Sequence, residues 1–162
     1  IKLKYPKFDA YARADIDEII SRIQLDTAYQ LIAYQSQSMY VENVGNGDFK
    51  LKPLPIKAQF STVNAIESFD INQDGNLDVI LTGNQFDIET QSTRLDASNG
   101  LVLVGDGNGN FNALSIAESG FFTPENAKSM VLLHGKDRLW FIVGNKDGPT
   151  QAILQNNKSK IN

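Results

Sequence analysis

The sequence predicts an all-β chain preceded by a short helical segment. From Ser38 onward, short runs rich in Val, Ile, Leu and Phe alternate with clusters of Gly, Asn and Asp. Such runs are typical of strands, and the clusters between them are typical of turns. Residues 1–37 lack this pattern and have helical spacing instead. We therefore expect a helical insertion or connection over residues 1–37 and a β region over residues 38–162.

The helical expectation depends on the spacing of isoleucines near the start of the chain. Four of them recur at intervals of three and four residues and would share one helical face: Ile16, Ile19, Ile20 and Ile23. They follow Asp15 and Glu18, which are spaced like a capping box. This pattern predicts one amphipathic helix of about three turns. Residues 28–34 fit neither a helical nor a strand period and are left unassigned.

Composition and charge exclude several classes of function. The chain has 162 residues, a single-domain size, and a net charge of −4 with scattered lysines, which argues against a nucleic-acid partner. Cysteine is absent, so disulfides and thiolate metal sites are excluded. No apolar run reaches the length of a membrane span. Because the sequence starts at Ile1 without a methionine or a signal segment, we expect a fragment of a longer chain.

Residues 70–78 read Asp-Ile-Asn-Gln-Asp-Gly-Asn-Leu-Asp, which places oxygen-bearing side chains at the ligand positions of a calcium loop. A calcium ion takes roughly 6–8 oxygen ligands at about 2.3–2.6 Å, so the chain must curl sharply around it. Gly75, at position six, permits that curl because glycine adopts a positive φ without a Cβ clash. The predicted ligands are the side chains of Asp70, Asn72, Asp74 and Asp78 and the backbone carbonyl of Asn76.

The residues that follow distinguish this loop from an EF-hand, which needs a Glu at position twelve and a helix after it. Position twelve is Leu81, and residues 77–83 form a short apolar run typical of a buried strand. Asp78 then closes the coordination shell from the start of that strand. If Asp78 serves only as a ligand, Asp78→Ala should have the same effect as removal of calcium by chelation. It should then lower the free energy of unfolding less than Leu81→Ala does. The alternative is an Asp- and Asn-rich turn that binds nothing.

Weak internal repetition extends the all-β prediction to a partial β-propeller. Three segments read as strand, glycine-rich turn, strand: Tyr40–Phe49, Leu101–Phe111 and, as a degenerate copy, Trp140–Gly148. Their turns are spaced roughly 60 and then about 40 residues apart, the range in which four-stranded units recur. That period is typical of propeller blades.

The calcium loop and its downstream hairpin together resemble a known repeat. Asp-x-Asn-x-Asp-Gly-x-x-Asp, followed by an apolar strand and Gly105-Asp-Gly-Asn-Gly-Asn-Phe111, resembles the FG-GAP/VCBS repeat of integrin α-subunit heads and bacterial surface proteins. Residues 40–55, 93–100 and 118–122 look similar to bacterial VCBS-repeat proteins related to cartilage acidic protein. The resemblance implies about two propeller blades plus part of another. Asn72 departs from the repeat, which often has Asp there.

A second calcium loop would be expected near residues 126–138, but the sequence has no series of carboxylates there. The resemblance therefore implies a metal-free blade at this place. The turn at Asp106–Asn110 lacks an acid at its ninth position, Leu114, and is interpreted as a plain turn. His134, the single histidine, is likewise interpreted as a turn residue.

The resemblance and the calcium loop together imply a calcium-binding, non-catalytic module of an extracellular or bacterial cell-surface protein. Its expected partners are a protein or glycan ligand and neighbouring blades of a longer chain. Outside the cell, calcium at about 1 mM would fill a loop with a Kd near 10⁻⁴–10⁻³ M. One alternative is an accessory or catalytic domain of a polysaccharide-degrading enzyme, and another is a purely structural spacer stabilised by calcium.

The enzyme alternative depends on residues 84–99, a polar connection that is long for a hairpin. Four charged residues there could form a binding rim or a carboxylate pair: Asp87, Glu89, Arg94 and Asp96. Five aromatic residues could stack on a sugar but are interpreted as packing: Phe111, Phe121, Phe122, Trp140 and Phe141. The sequence assigns no catalytic residue.

Overall fold

The computed structural model describes residues 2–136 and 138–155, and within them the chain is predominantly β. Nine strands form three antiparallel sheets of two, four and three strands. The chain divides into two compact units, Ile1–Ser36 and Gln37–Asn162. Residues 156–162, which the sequence assigns to the β region, lie outside the described residues.

The first unit contains three short helices, and the prediction of a single three-turn helix is wrong. The helices are α1 (Phe8–Ala12), α2 (Ile16–Ile19) and α3 (Arg22–Asp26). The capping box of Asp15 and Glu18 is present, but Ile20 is extended, with φ −120° and ψ 131°. Ser21 begins a second capping box with Gln24, and this box starts α3.

The isoleucine face fails to form one helix because it gains too little burial within its unit: Ile16 and Ile23 are exposed, and Ile19 and Ile20 are only partly buried. None of the three helices has a buried residue. Isolated helices this short gain little from backbone hydrogen bonds alone, and most helical stability in proteins comes from packing of an apolar face. Residues 28–34, left unassigned by the sequence, form no helix or strand.

The four-stranded sheet is a meander of consecutive antiparallel strands. Its strands are β3 (Ala65–Phe69), β4 (Asp78–Thr82), β5 (Leu101–Gly105) and β6 (Phe111–Ala113). The predicted buried strand after the loop is confirmed, because four of the five residues of β4 are buried. Ile80 and Leu103 are completely buried and lie in separate core clusters.

The two-stranded and three-stranded sheets complete the second unit. The first consists of β1 (Met39–Gly45) and β2 (Asp48–Pro53), and the second of β7 (Ala127–His134), β8 (Leu139–Asn145) and β9 (Gln151–Gln155). A short helix, α4 (Ile116–Ser119), follows β6. One core joins the four-stranded and three-stranded sheets and contains Ile80, Val102, Leu114, Phe121 and Phe141.

The three glycine-rich segments all form a hairpin, but not at equivalent places in their sheets. The first connects β1 to β2, and the second connects the third and fourth strands of its sheet, β5 and β6. The third connects β8 to β9, the second and third strands of its sheet. The degenerate third copy is therefore a hairpin in a different position of the sheet.

The outer sheets leave apolar faces exposed. On the two-stranded sheet, Val41 pairs with Leu51, and Phe49 lies on the same face; these three side chains are 52–62% exposed. On the three-stranded sheet, Val131 and Leu133 alternate with the core residue Leu132 and are both about half exposed. The inner face of that sheet packs on the four-stranded sheet, but residues 2–136 and 138–155 provide no such cover for its outer face.

Candidate metal centre

The predicted calcium loop lies between β3 and β4, two adjacent strands of the four-stranded sheet. Its curl requires two positive backbone angles, at Gly75 with φ +91° and at Gln73 with φ +62°. The prediction for Gly75 is confirmed, whereas Gln73 was not foreseen. A non-glycine residue in this region is uncommon and carries some strain.

The structure brings three of the predicted ligands together. The backbone N–H of Asp74 donates to Oδ1 of Asp70 at 3.1 Å and to Oδ1 of Asn72 at 3.0 Å. Nδ2 of Asn72 donates to Oδ2 of Asp74 at 2.8 Å. The N–H of Gly75 donates to the other oxygen of Asp70 at 2.9 Å. The first half of the loop therefore directs its oxygens toward one another.

Hydrogen bonds keep the Asp74 carboxylate charged. The N–H of Asn76 donates to its Oδ1 at 2.8 Å. This bond is the largest cause of a lowered pKa for Asp74, followed by the amide of Asn72. The lowered pKa favours the charged form of the Asp74 carboxylate.

Asp78 has a different environment from the other predicted ligands, because it is completely buried. Its Oδ2 accepts the N–H of Ile71 at 2.8 Å, and its Oδ1 accepts the N–H of Gly105 at 2.9 Å. The carboxylate thus connects the loop to the end of β5, the strand beside β4. Asp78 has a structural task that the sequence did not reveal.

The acceptor capacity of these side chains fits a calcium ion. Each carboxylate oxygen can accept about two hydrogen bonds or ligand contacts. The described contacts fill one position on each oxygen of Asp70, Asp74 and Asp78, which leaves others for a cation. Among residues 2–136 and 138–155, no group of three or more Asp, Glu, His or Cys is placed to hold a metal as it stands. An ion would therefore also need the oxygens of Asn72 and Asn76.

Positive side chains do not neutralise this loop in the part of the chain that the structure describes. The ion pairs of the described residues involve carboxylates outside the loop: Asp9, Asp17, Glu42 and Asp87. Three carboxylates within nine residues repel one another unless a cation lies near them. The loop thus combines three carboxylates within nine residues with no described ion pair to any of them.

The turn of Asp106–Asn110 lies beside the loop and is closed by its own side chains. Oδ1 of Asp106 accepts the N–H of Asn108 at 2.8 Å and that of Asn110 at 3.1 Å. The amide of Asn110 donates to Oδ2 at 2.7 Å, and it is the largest cause of a pKa lowered to about 2 for Asp106. These contacts agree with the interpretation of a self-contained turn.

The charged residues of the 84–99 connection do not form a carboxylate pair through any described contact. Asp87 pairs with Lys146 at 3.0 Å and accepts the amide of Asn126 at 3.1 Å. The hydrogen bond from Lys146 is the largest cause of its lowered pKa. Arg94 lies over the ring of Phe86, 5.2 Å from its centre. Glu89 and Asp96 are exposed.

Asn84 is a structural residue that the sequence did not single out. It is completely buried just after β4. Its side chain accepts from the hydroxyl of Ser61 and the N–H of Ser98, and donates to the carbonyls of Ser98, Pro124 and Glu125. The one signal for this role in the sequence was a polar residue placed two positions after the end of a buried strand. Asn84 holds the start of the long connection against the segment before β7.

Most of the five aromatic residues considered for sugar stacking serve in packing. Phe121 and Phe141 are buried with ring centres 5.9 Å apart, and Phe111 contacts Tyr40. Trp140 is half-buried and Phe122 is half exposed. The interpretation of His134 as a turn residue is wrong, since it is the last residue of β7; it is exposed, and its ring contacts Phe69. The stretch predicted to be metal-free, 126–138, includes Asp137, which lies outside the described residues.

Comparisons with protein families, with curated proteins and with solved structures find no match to this chain. In the described ranges, no helix has the length and apolar character needed to cross a membrane. Any functional conclusion must therefore come from the residues of the chain itself.

Proposed function

We propose that this chain is a calcium-binding, non-catalytic β module of a larger extracellular or cell-surface protein. The observation that carries the proposal is the uncompensated loop at residues 70–78. There the oxygens of Asp70, Asn72 and Asp74 converge, and no described cation pairs with the carboxylates. Calcium is the hard cation that takes such an all-oxygen ligand set.

The ligands in this proposal are the side chains of Asp70, Asn72, Asp74 and Asp78 and the carbonyl of Asn76. When bound, calcium supplies positive charge that offsets the repulsion among the three carboxylates. Because one ligand is a neutral amide, the site carries less charge than an all-carboxylate loop would. A Kd near 10⁻⁴–10⁻³ M, typical of extracellular modules, suits that charge, and it favours a location outside the cell.

We also propose that the three sheets are blades of an FG-GAP/VCBS-type propeller. The four-stranded meander has the strand order of one blade, and the two-stranded and three-stranded sheets have that of incomplete blades. The two-stranded and three-stranded sheets each have an exposed apolar face, which supports a further neighbouring sheet on each. The inner face of the three-stranded sheet is already covered in this way by the four-stranded sheet. Neighbouring blades are thus the first partners, and a protein or glycan ligand is the second.

The alternative of a polysaccharide-degrading domain gains no support from the 84–99 connection. Asp87 is already paired with Lys146 and Asn126, and Arg94 lies on Phe86. A catalytic carboxylate pair needs two acids flanking one bond of the substrate. The described contacts place no second acid beside Asp87.

Calorimetric titration with calcium tests the proposed metal site. We expect uptake of one ion with a Kd of roughly 10⁻⁴–10⁻³ M. Asp70→Ala and Asp74→Ala each remove a charged ligand and should weaken binding about tenfold or more. Asp48→Ala is the matched control, since Asp48 is an exposed acid at another glycine-rich turn. Absence of uptake below several millimolar calcium, or equal binding by all variants, would refute the site.

Sedimentation velocity over a concentration series tests the need for neighbouring sheets. The isolated chain should self-associate through its open faces, and Leu133→Lys should reduce that association. Ile56→Lys is the control, because Ile56 is also exposed but lies in a short 3-10 helix, Ile56–Gln59, outside the strands. A monomer that sediments identically with and without Leu133→Lys would contradict this part of the proposal.

A further inference from the structure

We propose that calcium at the 70–78 loop also secures the two-stranded sheet β1–β2 against the four-stranded sheet, through the β5–β6 hairpin. This inference rests on the proposed calcium site, because it requires the loop to bind the ion. The hairpin, defined as residues 105–111, contacts the calcium loop on one side and the two-stranded sheet on the other. The ion would then stabilise a junction between sheets as well as a single turn.

The first contact joins the loop to the base of the hairpin. The N–H of Gly105 donates to the buried carboxylate of Asp78 at 2.9 Å. A Cβ at Gly105 would clash with the carbonyl of Leu77, so the backbones approach more closely than a side chain would allow. The loop and the base of the hairpin are therefore in direct contact through Asp78 and Leu77.

The second contact lies at the tip of the loop. Gly107 has φ +73°, and a Cβ there would overlap Oδ1 of Asn76. Asn76 is the residue whose carbonyl is the proposed calcium ligand. Binding of the ion would fix the backbone of Asn76, and its side chain would then define where the hairpin lies.

The third contact joins the hairpin to the two-stranded sheet. Nζ of Lys52 donates to the carbonyl of Asn108 at 2.7 Å. The rings of Tyr40 and Phe111 meet edge to face, with centres 5.5 Å apart. Gly109 leaves room for Tyr40, since a Cβ at that position would approach the ring within 2.5 Å. Tyr40 and Lys52 lie on one face of β1–β2, and the exposed apolar residues Val41, Phe49 and Leu51 lie on the opposite face.

The end of the two-stranded sheet farthest from its turn is also fastened without the loop. Oε1 of Gln59 accepts the N–H of Ser38, and its amide donates to the carbonyls of Ser38 and Leu54. Tyr40 and Lys52 lie two residues from Ser38 and Leu54, so both fastenings are at the same end of β1–β2. Calcium should therefore act on the sheet from Tyr40 and Lys52 toward the turn, and leave the segments bonded to Gln59 unchanged. This asymmetry provides an internal control in the same molecule.

The size of the effect follows from linkage. If separation of β1–β2 requires the hairpin and loop to loosen and release the ion, calcium slows that opening by the factor 1 + [L]/Kd. With 10 mM calcium and a Kd of about 10⁻⁴–10⁻³ M, this factor is roughly 10 to 100. An opening independent of the loop would not be slowed at all.

Hydrogen exchange measured by mass spectrometry, with EDTA and with 10 mM calcium, tests the inference. We expect the amides of residues 70–78, of the hairpin and of residues 41–51 to exchange about 10 to 100 times more slowly with calcium. Lys52→Met removes the bond to Asn108 and should reduce the slowing at 41–51 while preserving it at 70–78; the contact of Tyr40 with Phe111 remains in this variant. Lys50→Met is the matched control, since Lys50 lies two residues away on the same strand and face.

The outcomes separate this inference from the calcium proposal, because calorimetry on the same samples reports binding directly. Slowing at 70–78 without slowing at 41–51 would overturn the inference and leave the calcium site intact. Equal slowing at 41–51 in wild type and Lys52→Met would overturn the assigned route. Absence of both binding and slowing would overturn the calcium site and the inference together.

Discussion

Replacing Asp78 by alanine should destabilise the protein even when calcium is absent. The carboxylate is completely buried and accepts the N–H groups of Ile71 and Gly105. Alanine leaves both donors without a partner, and an unsatisfied buried donor costs about 1–3 kcal/mol. Since Gly105 is buried and Ile71 is half-buried, we expect a loss of about 2–5 kcal/mol in the free energy of unfolding.

This loss exceeds what the ion itself can contribute. At about 1 mM calcium, a site with a Kd of roughly 10⁻⁴–10⁻³ M adds only about 0.4–1.4 kcal/mol. Replacing a residue that acts only as a ligand would lower the free energy of unfolding by no more than removal of calcium does. From the sequence we expected Asp78→Ala to behave like chelation. From the structure we now expect a larger loss of the free energy of unfolding, similar to the ~2–5 kcal/mol expected for Leu81→Ala.

Urea unfolding in EDTA and in 10 mM calcium measures both contributions of Asp78. Asp78→Ala should lose stability in EDTA and should also lose the calcium response. Asp74→Ala is the comparison, because Asp74 is an exposed acid of the same loop. It should lose the calcium response but unfold like wild type in EDTA. If Asp78→Ala unfolds like wild type in EDTA, its two hydrogen bonds do not stabilise the fold and the reasoning is refuted.

Three further predictions test the surroundings of the site. EDTA should leave the far-ultraviolet circular dichroism signal of the sheets intact, because completely buried residues such as Ile80 and Leu103 hold the cores; loss of that signal would make the ion a folding nucleus. In an NMR titration, the carboxyl of Asp106 should titrate with a pKa of about 2, and Asn110→Ala should raise that pKa toward 3.8. Because the folded pKa is the lower one, its stabilisation is present above about pH 4 and is lost as the pH falls toward 2. Asn84→Ala should lower the free energy of unfolding by about 2–4 kcal/mol in urea, since it leaves several buried polar groups unpaired.

The features that the sequence predicted correctly are those encoded by neighbouring residues. The apolar run at 77–83 becomes β4 because it is short, rich in branched side chains and followed by a glycine. Gly75 adopts its positive φ because no other residue of the loop curls so easily. The capping box of Asp15 and Glu18 forms for the same local reason.

The features that it missed depend on partners far along the chain. Asp78 is bonded to Gly105, and Asn84 to Pro124 and Glu125, across separations of about 27 and 40 residues. A pattern within nine residues carries no information on such partners. The prediction of one long helix failed for a related reason. The isoleucine spacing predicts an apolar helical face, but it carries no information on whether another part of the chain packs against that face.

Calcium can therefore matter to this chain without deciding whether it folds. A contribution of about 0.4–1.4 kcal/mol is small against the ~5–15 kcal/mol of a folded domain. It is not small against a junction held by one lysine, one aromatic contact and a few glycines. In our proposal, an ion bound weakly at such a place would fix the position of one sheet on the next. The binding-module and spacer interpretations then share one physical basis, because a surface that presents loops to a partner needs its sheets held in register.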